Sequence, residues 1–371
     1  LGAAELRTRL HEATGVRLAP SAIVECPTGA ALAALLTERI VDASPVDPTP
    51  TPTHAPTQAP NPTPTQAPTQ AQAPAPNGPE TPLVALFRQA SLAGRAGQGL
   101  RLLAAAAHLR DEPDGPDRPD GPDGPDAPAS APPAPRSARF AEGPAGPPLV
   151  CFPSLVAPAH AYQYARFATA FRGRRGLTVL APSGYAAGEA LPRTLAEFVG
   201  SQAAAVRAEH GDRPVVLVGY SSGGWVAHAV AGALAQEGAA PAAVVLLDSH
   251  LPGSPGLTAL ESTLFTALAD RAELVEATTD AGLSAMGRHF DLFRDWRPAP
   301  VASPILLVRA TESLPGTAAD RPVPAASWPT RHTTVDVPAD HLTIIGDSGP
   351  STGRAVESWL SGSVPEEEAP R

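Results

Sequence analysis

A chain of 371 residues carrying 46 prolines and 32 glycines cannot be packed core throughout, and its length fits about two domains joined by linkers. A net charge of −10 argues against nucleic acid as a partner. No run reaches the roughly 18 apolar residues of a membrane span, and the two distant cysteines, Cys26 and Cys151, form neither a metal pattern nor a disulfide framework, which fits a reducing cytoplasm.

All 27 basic residues are arginine, a bias expected of a GC-rich, actinobacterial genome rather than of a functional cluster. The chain opens on Leu1 with no signal-peptide pattern, so the sequence is expected to be a piece of something longer. Residues 1–43 read as a short helical unit. Ala4, Leu6, Leu10 and Ala13 share one helical face, and Pro27-Thr28 opens a helix carrying Leu32, Leu35, Leu36 and Ile40. So few residues bury too little surface for a complete domain. Residues 44–80 repeat Pro, Thr, Gln and Ala; with almost no large apolar side chain, nothing offsets the entropy of ordering them. They read as a disordered tether reaching between roughly 30 Å as a coil and about 115 Å as polyproline II.

Residues 82–110 return to helical periodicity. Leu83, Leu86, Phe87 and Ala90 form one stripe, and Leu100, Leu102, Leu103 and Ala106 another. Either these stripes pack on their own domain or they form a subunit interface. An acidic Pro-rich loop is expected over 111–136; its Pro-Asp-Gly repeats lack the turn-and-helix geometry of a calcium loop. From 148 onward short apolar runs alternate with helical segments. The runs are Pro148–Phe152, Leu177–Ala181, Val215–Val218, Ala243–Leu247, Ile305–Val308 and Thr333–Val337, with helices expected over Tyr162–Phe171, Leu195–Glu209 and Trp225–Gln236. That alternation predicts an α/β fold with a mostly parallel sheet covered on both faces. Residues 256–297 interrupt it with a helical insertion, read as a lid over the C-terminal edge of the sheet, where such folds place their ligands.

The run Val215–Gly224, VVLVGYSSGG, holds the chemistry. Gly219, Ser221 and Gly223 make the G-x-S-x-G spacing at the end of a buried strand, where glycines let strand and helix pass closely and leave the serine on a strained turn. Ser222 lacks the first glycine, since Tyr220 stands there, so Ser221 is the candidate nucleophile. Its base should follow the last strand, which selects His341 over His332 among ten histidines. Two carboxylates end buried strands and could orient that base, Asp248 and Glu312; Asp340 reads as a turn residue.

From about residue 81 to 362 the chain resembles the C-terminal thioesterase domain of modular type I polyketide synthases. The resemblance rests on LVCFPS, QYARFATAFRG, LVGYSSGGWVAHAVA, AVVLLDSHLP, MGRHF, PILLVRATES and VDVPADHLT, in that order. Residues 1–43, through LGAAELRTRL and ATGVRLAPSAIVECPTGAALAALL, resemble the second half of an acyl carrier domain, beginning just past that family's phosphopantetheine serine. The resemblance implies an α/β-hydrolase fold, a thioesterase domain over 81–363 with a tail at 364–371, and a Ser221, His341, Asp248 triad, deciding against Glu312. It implies an oxyanion hole built from the N–H groups of Ser222 and, within one residue, Leu155. Tyr220, where the family often has histidine, and Tyr162 are expected at the substrate. It further implies no cofactor bound by this domain, a polyketide acyl thioester delivered on the phosphopantetheine arm of a carrier domain, and release as lactone or acid. The last implication is a homodimer through residues 82–110 in which Leu86 and Leu103 both serve.

Overall fold

The computed structural model describes residues 81–111, 134–269, 278–315 and 323–363. The expected carrier remnant at 1–43, the tether at 44–80, most of the acidic loop and the tail at 364–371 lie outside the described residues. All described residues belong to one compact unit, Glu80–Arg371.

The unit opens with two helices, α1 (Pro82–Leu92) and α2 (Ala96–Asp111). Pro82 sits at the first position of α1, where its missing N–H costs no helical bond. Gly94, at φ 66°, ends that helix in the left-handed region. Strands β1 (Arg136–Pro144), β2 (Leu149–Phe152), β3 (Arg175–Ala181), β4 (Val216–Tyr220), β5 (Ala243–Leu247), β6 (Ile305–Ala310) and β7 (Thr333–Val337) form one sheet in the order β1-β3-β2-β4-β5-β6-β7. Every pair is parallel except β1 with β3.

Side chains of the central strands alternate between two cores, as the two-residue period requires. Val216, Val218, Val245 and Leu247 face Tyr164, Phe167, Phe171, Val356 and Leu360. Leu217, Val244 and Leu246 face Phe198, Val206, Trp225, Val230 and Leu234. The second face is covered by α3 (Leu195–His210) and α4 (Gly223–Gln236), and the first by α7 (Gly349–Ser363). Thr194 caps α3 by accepting the Glu197 N–H at 3.1 Å.

Two of the expected elements need correction. Strand β1 begins at Arg136, inside the stretch expected to be loop, so the sheet has a strand before the one expected first. Only Ala141 of its residues is buried, and an edge strand with so little burial carries almost no hydrophobic pattern. The helix expected over Tyr162–Phe171 is two short 3-10 turns, Ala161–Tyr164 and Phe167–Ala170. Their aromatic rings pack edge-on and tilted on one another, with centroids 5.8 and 5.1 Å apart.

The insertion after β5 contributes α5 (Pro255–Ala269) and α6 (Asp280–Phe293). Helices α1 and α2 dock on this pair: Val84, Ala96 and Leu103 share one apolar cluster with Phe265, Leu283 and Met286. Polar contacts reinforce the seam. Thr81 donates to Asp280 Oδ1 at 2.5 Å, the Arg88 Nε–H to the Ala269 carbonyl at 3.0 Å, and Arg110 to the Ala281 carbonyl at 3.1 Å. Leu103 is therefore fully buried within its own chain, which corrects its expected place on a subunit interface. Leu86, in contrast, is 49% exposed.

Candidate active site

Strand β4 ends at Tyr220 and α4 begins at Gly223, leaving Ser221 and Ser222 to make the whole turn. Two glycines make so tight a turn possible. A methyl group at Gly219 would collide with the Gly223 carbonyl, and one at Gly223 with the Phe152 carbonyl. Ser221 itself takes φ 55°, a left-handed conformation that non-glycine residues adopt at a cost. Its N–H is held by the Leu247 carbonyl at 2.9 Å, so the strain is borne by neighbouring strands. Asp248, at the end of β5, is the other non-glycine residue with positive φ among the described residues, at 42°.

These two turns and the loop after β7 bring three side chains into line. His341 Nε2 lies 3.0 Å from Ser221 Oγ, and His341 Nδ1 lies 2.8 Å from Asp248 Oδ2. All three are buried. The second oxygen of Asp248 accepts the Ala310 N–H at 3.1 Å. Burial alone would raise the Asp248 pKa, but the His341 hydrogen bond, the charges of His341 and His250 and the Ala310 N–H outweigh it and hold the carboxyl below its ordinary value. A carboxylate on Nδ1 fixes the tautomer that leaves Nε2 free to accept the serine proton.

The rival residues make no bond to the His341 ring. The Glu312 N–H is bonded to the Ala339 carbonyl at 2.9 Å, and its side chain lines a polar cavity of about 290 Å³ beside Asp248, His250, Arg309, Asp336 and His341. His332 pairs through Nδ1 with the Thr330 carbonyl at 2.7 Å. Asp340 is the turn residue its position suggested, accepting the N–H groups of Leu342 and Thr343 at 2.8 and 2.9 Å.

Tyr220, expected at the substrate, lies against His341. It is buried, its hydroxyl donates to the His341 carbonyl at 2.7 Å, and its ring stacks on the His341 imidazole with centroids 5.3 Å apart. Both its hydroxyl and its ring thus bear on His341. Tyr162 packs its ring edge-on against Phe140 of β1 and against His160, on the β1 side of the sheet. The Ser222 N–H has no acceptor among the described residues, as an oxyanion donor requires. The Leu155 N–H donates to the Ser222 hydroxyl at 2.9 Å, and that hydroxyl lies 3.2 Å from Ser154 Oγ. Nothing in the sequence pattern signalled this serine pair or the Tyr220 contact, because each joins segments far apart in the chain.

A second cavity adjoins the loop after Leu155. It is apolar, about 60 Å³, and lined by Val84, Phe87, Val156, Phe265, Leu283 and Met286 among others. Among the described residues no cluster could hold a metal ion, and no helix is long and apolar enough to cross a membrane.

Comparison with known proteins bears on this site. The polyketide synthase GfsE of Streptomyces halstedii is 48% identical over 222 residues, which is 59% of this chain and 6% of that protein. The spectinabilin polyketide synthase system protein NorC of Streptomyces orinoci is 36% identical over 369 residues, which is 98% of this chain and 14% of that protein. The chain thus spans a small fraction of each relative's length. The crystal structure of the NocB thioesterase domain aligns at a TM-score of 0.45 and 20% identity, over 61% of this chain and 99% of that one. The model of the thioesterase domain family matches residues 147–360, from the threshold of β2 to the last turns of α7. That stretch, more than half of the chain, contains Ser221, Asp248 and His341, and the chain belongs to the thioesterase domain family.

Proposed function

We propose that this chain is the terminal thioesterase of a modular polyketide synthase. It takes the finished acyl chain from the phosphopantetheine thioester of a carrier domain onto Ser221 and releases it as a macrolactone or a free acid. The observation that carries the reading is the unbroken line from Asp248 through His341 to Ser221, at 2.8 and 3.0 Å. Two matched relatives named as polyketide synthases support the substrate class.

In this mechanism His341 Nε2 takes the Ser221 proton as Oγ attacks the thioester carbonyl. The negative charge gathers on the carbonyl oxygen, where the Ser222 N–H and the positive end of α4 stabilise it. Collapse of the tetrahedral intermediate breaks the carbon–sulfur bond. The imidazolium gives its proton to the departing thiolate, which leaves as the free thiol, and an ester remains on Ser221. A hydroxyl of the acyl chain, or water, then gives its proton to His341 and attacks that ester by the same steps. Which of the two reaches the ester decides between lactone and acid. Nucleophile, base and oxyanion donors are all supplied by the chain.

The domain division belongs to the same proposal: carrier remnant at 1–43, tether at 44–80, thioesterase at 81–363 with its lid at 256–297. So do an upstream carrier domain as partner, the cytoplasmic setting of a synthase, and a homodimer. Support for the dimer is that Leu86, Leu92, Leu102 and Leu109 are exposed large apolar side chains, and all four lie on α1 and α2.

Substitution of Ser221 by alanine tests the core of the reading. Thioester turnover should vanish with the fold intact, and a fluorophosphonate should label Ser221 in the wild type. Turnover persisting in the alanine variant, or labelling of Ser222 instead, overturns the assignment.

A further inference from the structure

We infer that Tyr185 is a positioning residue for the oxyanion hole, fixing Leu155 from its carbonyl side; the inference rests on the acyl-enzyme reading above. Leu155 follows β2 in the loop that meets Ser222, the residue after the nucleophile, and both of its backbone polar groups are engaged by side chains. Its N–H donates to Ser222 Oγ at 2.9 Å, and its carbonyl accepts the Tyr185 hydroxyl at 2.6 Å. The two bonds differ in what they can do during reaction. Ser222 Oγ is a neutral acceptor with Ser154 Oγ as a second partner 3.2 Å away. A developing oxyanion binds an N–H about twice as strongly as a neutral oxygen does, so it can take the Leu155 N–H from the Ser222 hydroxyl. That exchange is productive only if the Leu155 backbone stays where it is, and on the carbonyl side Tyr185 is what holds it.

Tyr185 is itself held unusually firmly. Glu189 accepts the N–H groups of Gly184 and Ala186 at 2.8 and 3.2 Å, one residue to either side of it. Arg110, near the end of α2, donates to the carbonyls of Gly184 and Glu189 at 3.2 and 2.5 Å. The Tyr185 ring stacks on His289 of α6, with centroids 5.4 Å apart and planes 15° from parallel. His289 is fully buried and anchored through Nδ1 to the Ala285 carbonyl at 2.7 Å. Burial pushes the Tyr185 phenol well above its ordinary pKa, which favours the neutral hydroxyl that donates this bond. A second tie runs from the same helix to the same loop, where the Ala157 N–H lies 3.4 Å from the sulfur of Met286. Helix α6 thus sets the position of the loop that meets Ser222.

Replacing Tyr185 by phenylalanine keeps the ring and its stacking and removes one hydroxyl. With a medium-chain acyl thioester of N-acetylcysteamine, kcat should fall about ten-fold, with KM at its wild-type value and the fold retained. An alkylboronic acid forms a tetrahedral adduct that occupies the oxyanion hole, and its inhibition constant should rise by a similar factor. An unchanged kcat overturns the inference. So does a variant that fails to fold, that loses kcat and KM together, or that binds the boronate as tightly as wild type, since each makes the hydroxyl merely structural. Ser221→Ala in the same assay separates the two ideas. Turnover surviving in that variant sinks the acyl-enzyme reading, whereas a dead Ser221→Ala beside a fully active Tyr185→Phe sinks this inference alone.

Discussion

Asp248 and Glu312 both follow strands of the same sheet edge and both line the cavity behind His341, yet only Asp248 reaches the imidazole, 2.8 Å from Nδ1. Asp248→Asn should therefore cost on the order of 10³–10⁴ in kcat by leaving the histidine in the wrong tautomer. Glu312→Gln should leave kcat within about two-fold, because its side chain has no bond to the base. Steady-state rates of the two variants on one thioester check the pair of outcomes, and the reverse pattern would move the acid to Glu312. Ser221 and His341 were legible from glycine spacing and from position after a strand. Asp248 and Glu312 were not separable by pattern, since a strand-end carboxylate looks alike at either place until its distance to the ring is known. Tyr220 stood in plain view beside the serine, but its partner is a backbone carbonyl 121 residues away, and no local signal carries such a contact.

Among the elements, the buried strands read cleanly because parallel strands covered on both faces are continuous apolar runs. Ala243–Leu247, buried throughout, has the bounds the sequence predicts; Thr333–Val337 has them too, although it is an edge strand with only Val337 buried, and its β-branched residues are what mark it. Strand β1 escaped notice for the opposite reason, being an exposed edge held mainly by its ladder to β3. The insertion after β5 was legible as helical, but what it packs on was not. That depends on Gly287 of α6, where a Cβ would meet the backbone of Leu103 and lie 2.5 Å from the Ala104 nitrogen. Helices α2 and α6 cross with their backbones nearly touching, and a methyl group there forces them apart. Gly287→Ala, a change that favours an isolated helix, should here lower the unfolding free energy by about 1–3 kcal/mol. Urea denaturation of the variant checks the sign, which propensity alone gives the wrong way round.

For the whole molecule, burial divides the two leading helices into a face spent on α5 and α6 and a face left over. Leu103 belongs to the first; Leu86, Leu92, Leu102 and Leu109 belong to the second. Charging the second face with Leu86→Glu and Leu109→Glu should convert the proposed homodimer to monomers that keep their thermal midpoint, whereas Leu103→Glu should cripple folding by burying an unpaired charge. Sedimentation equilibrium with a thermal melt distinguishes them, and a wild-type monomer at tens of micromolar would remove the dimer. The same seam has a consequence for how the protein is made. Arg88 bonds to a carbonyl 181 residues further along the chain, so α1 and α2 leave the ribosome long before the helices that cover them exist. At ~5–20 residues per second they wait on the order of ten to forty seconds with both apolar faces bare. During that interval the nascent chain depends on whatever shields those leucines, and the seam that later steadies α5 and α6 is its most exposed point for aggregation.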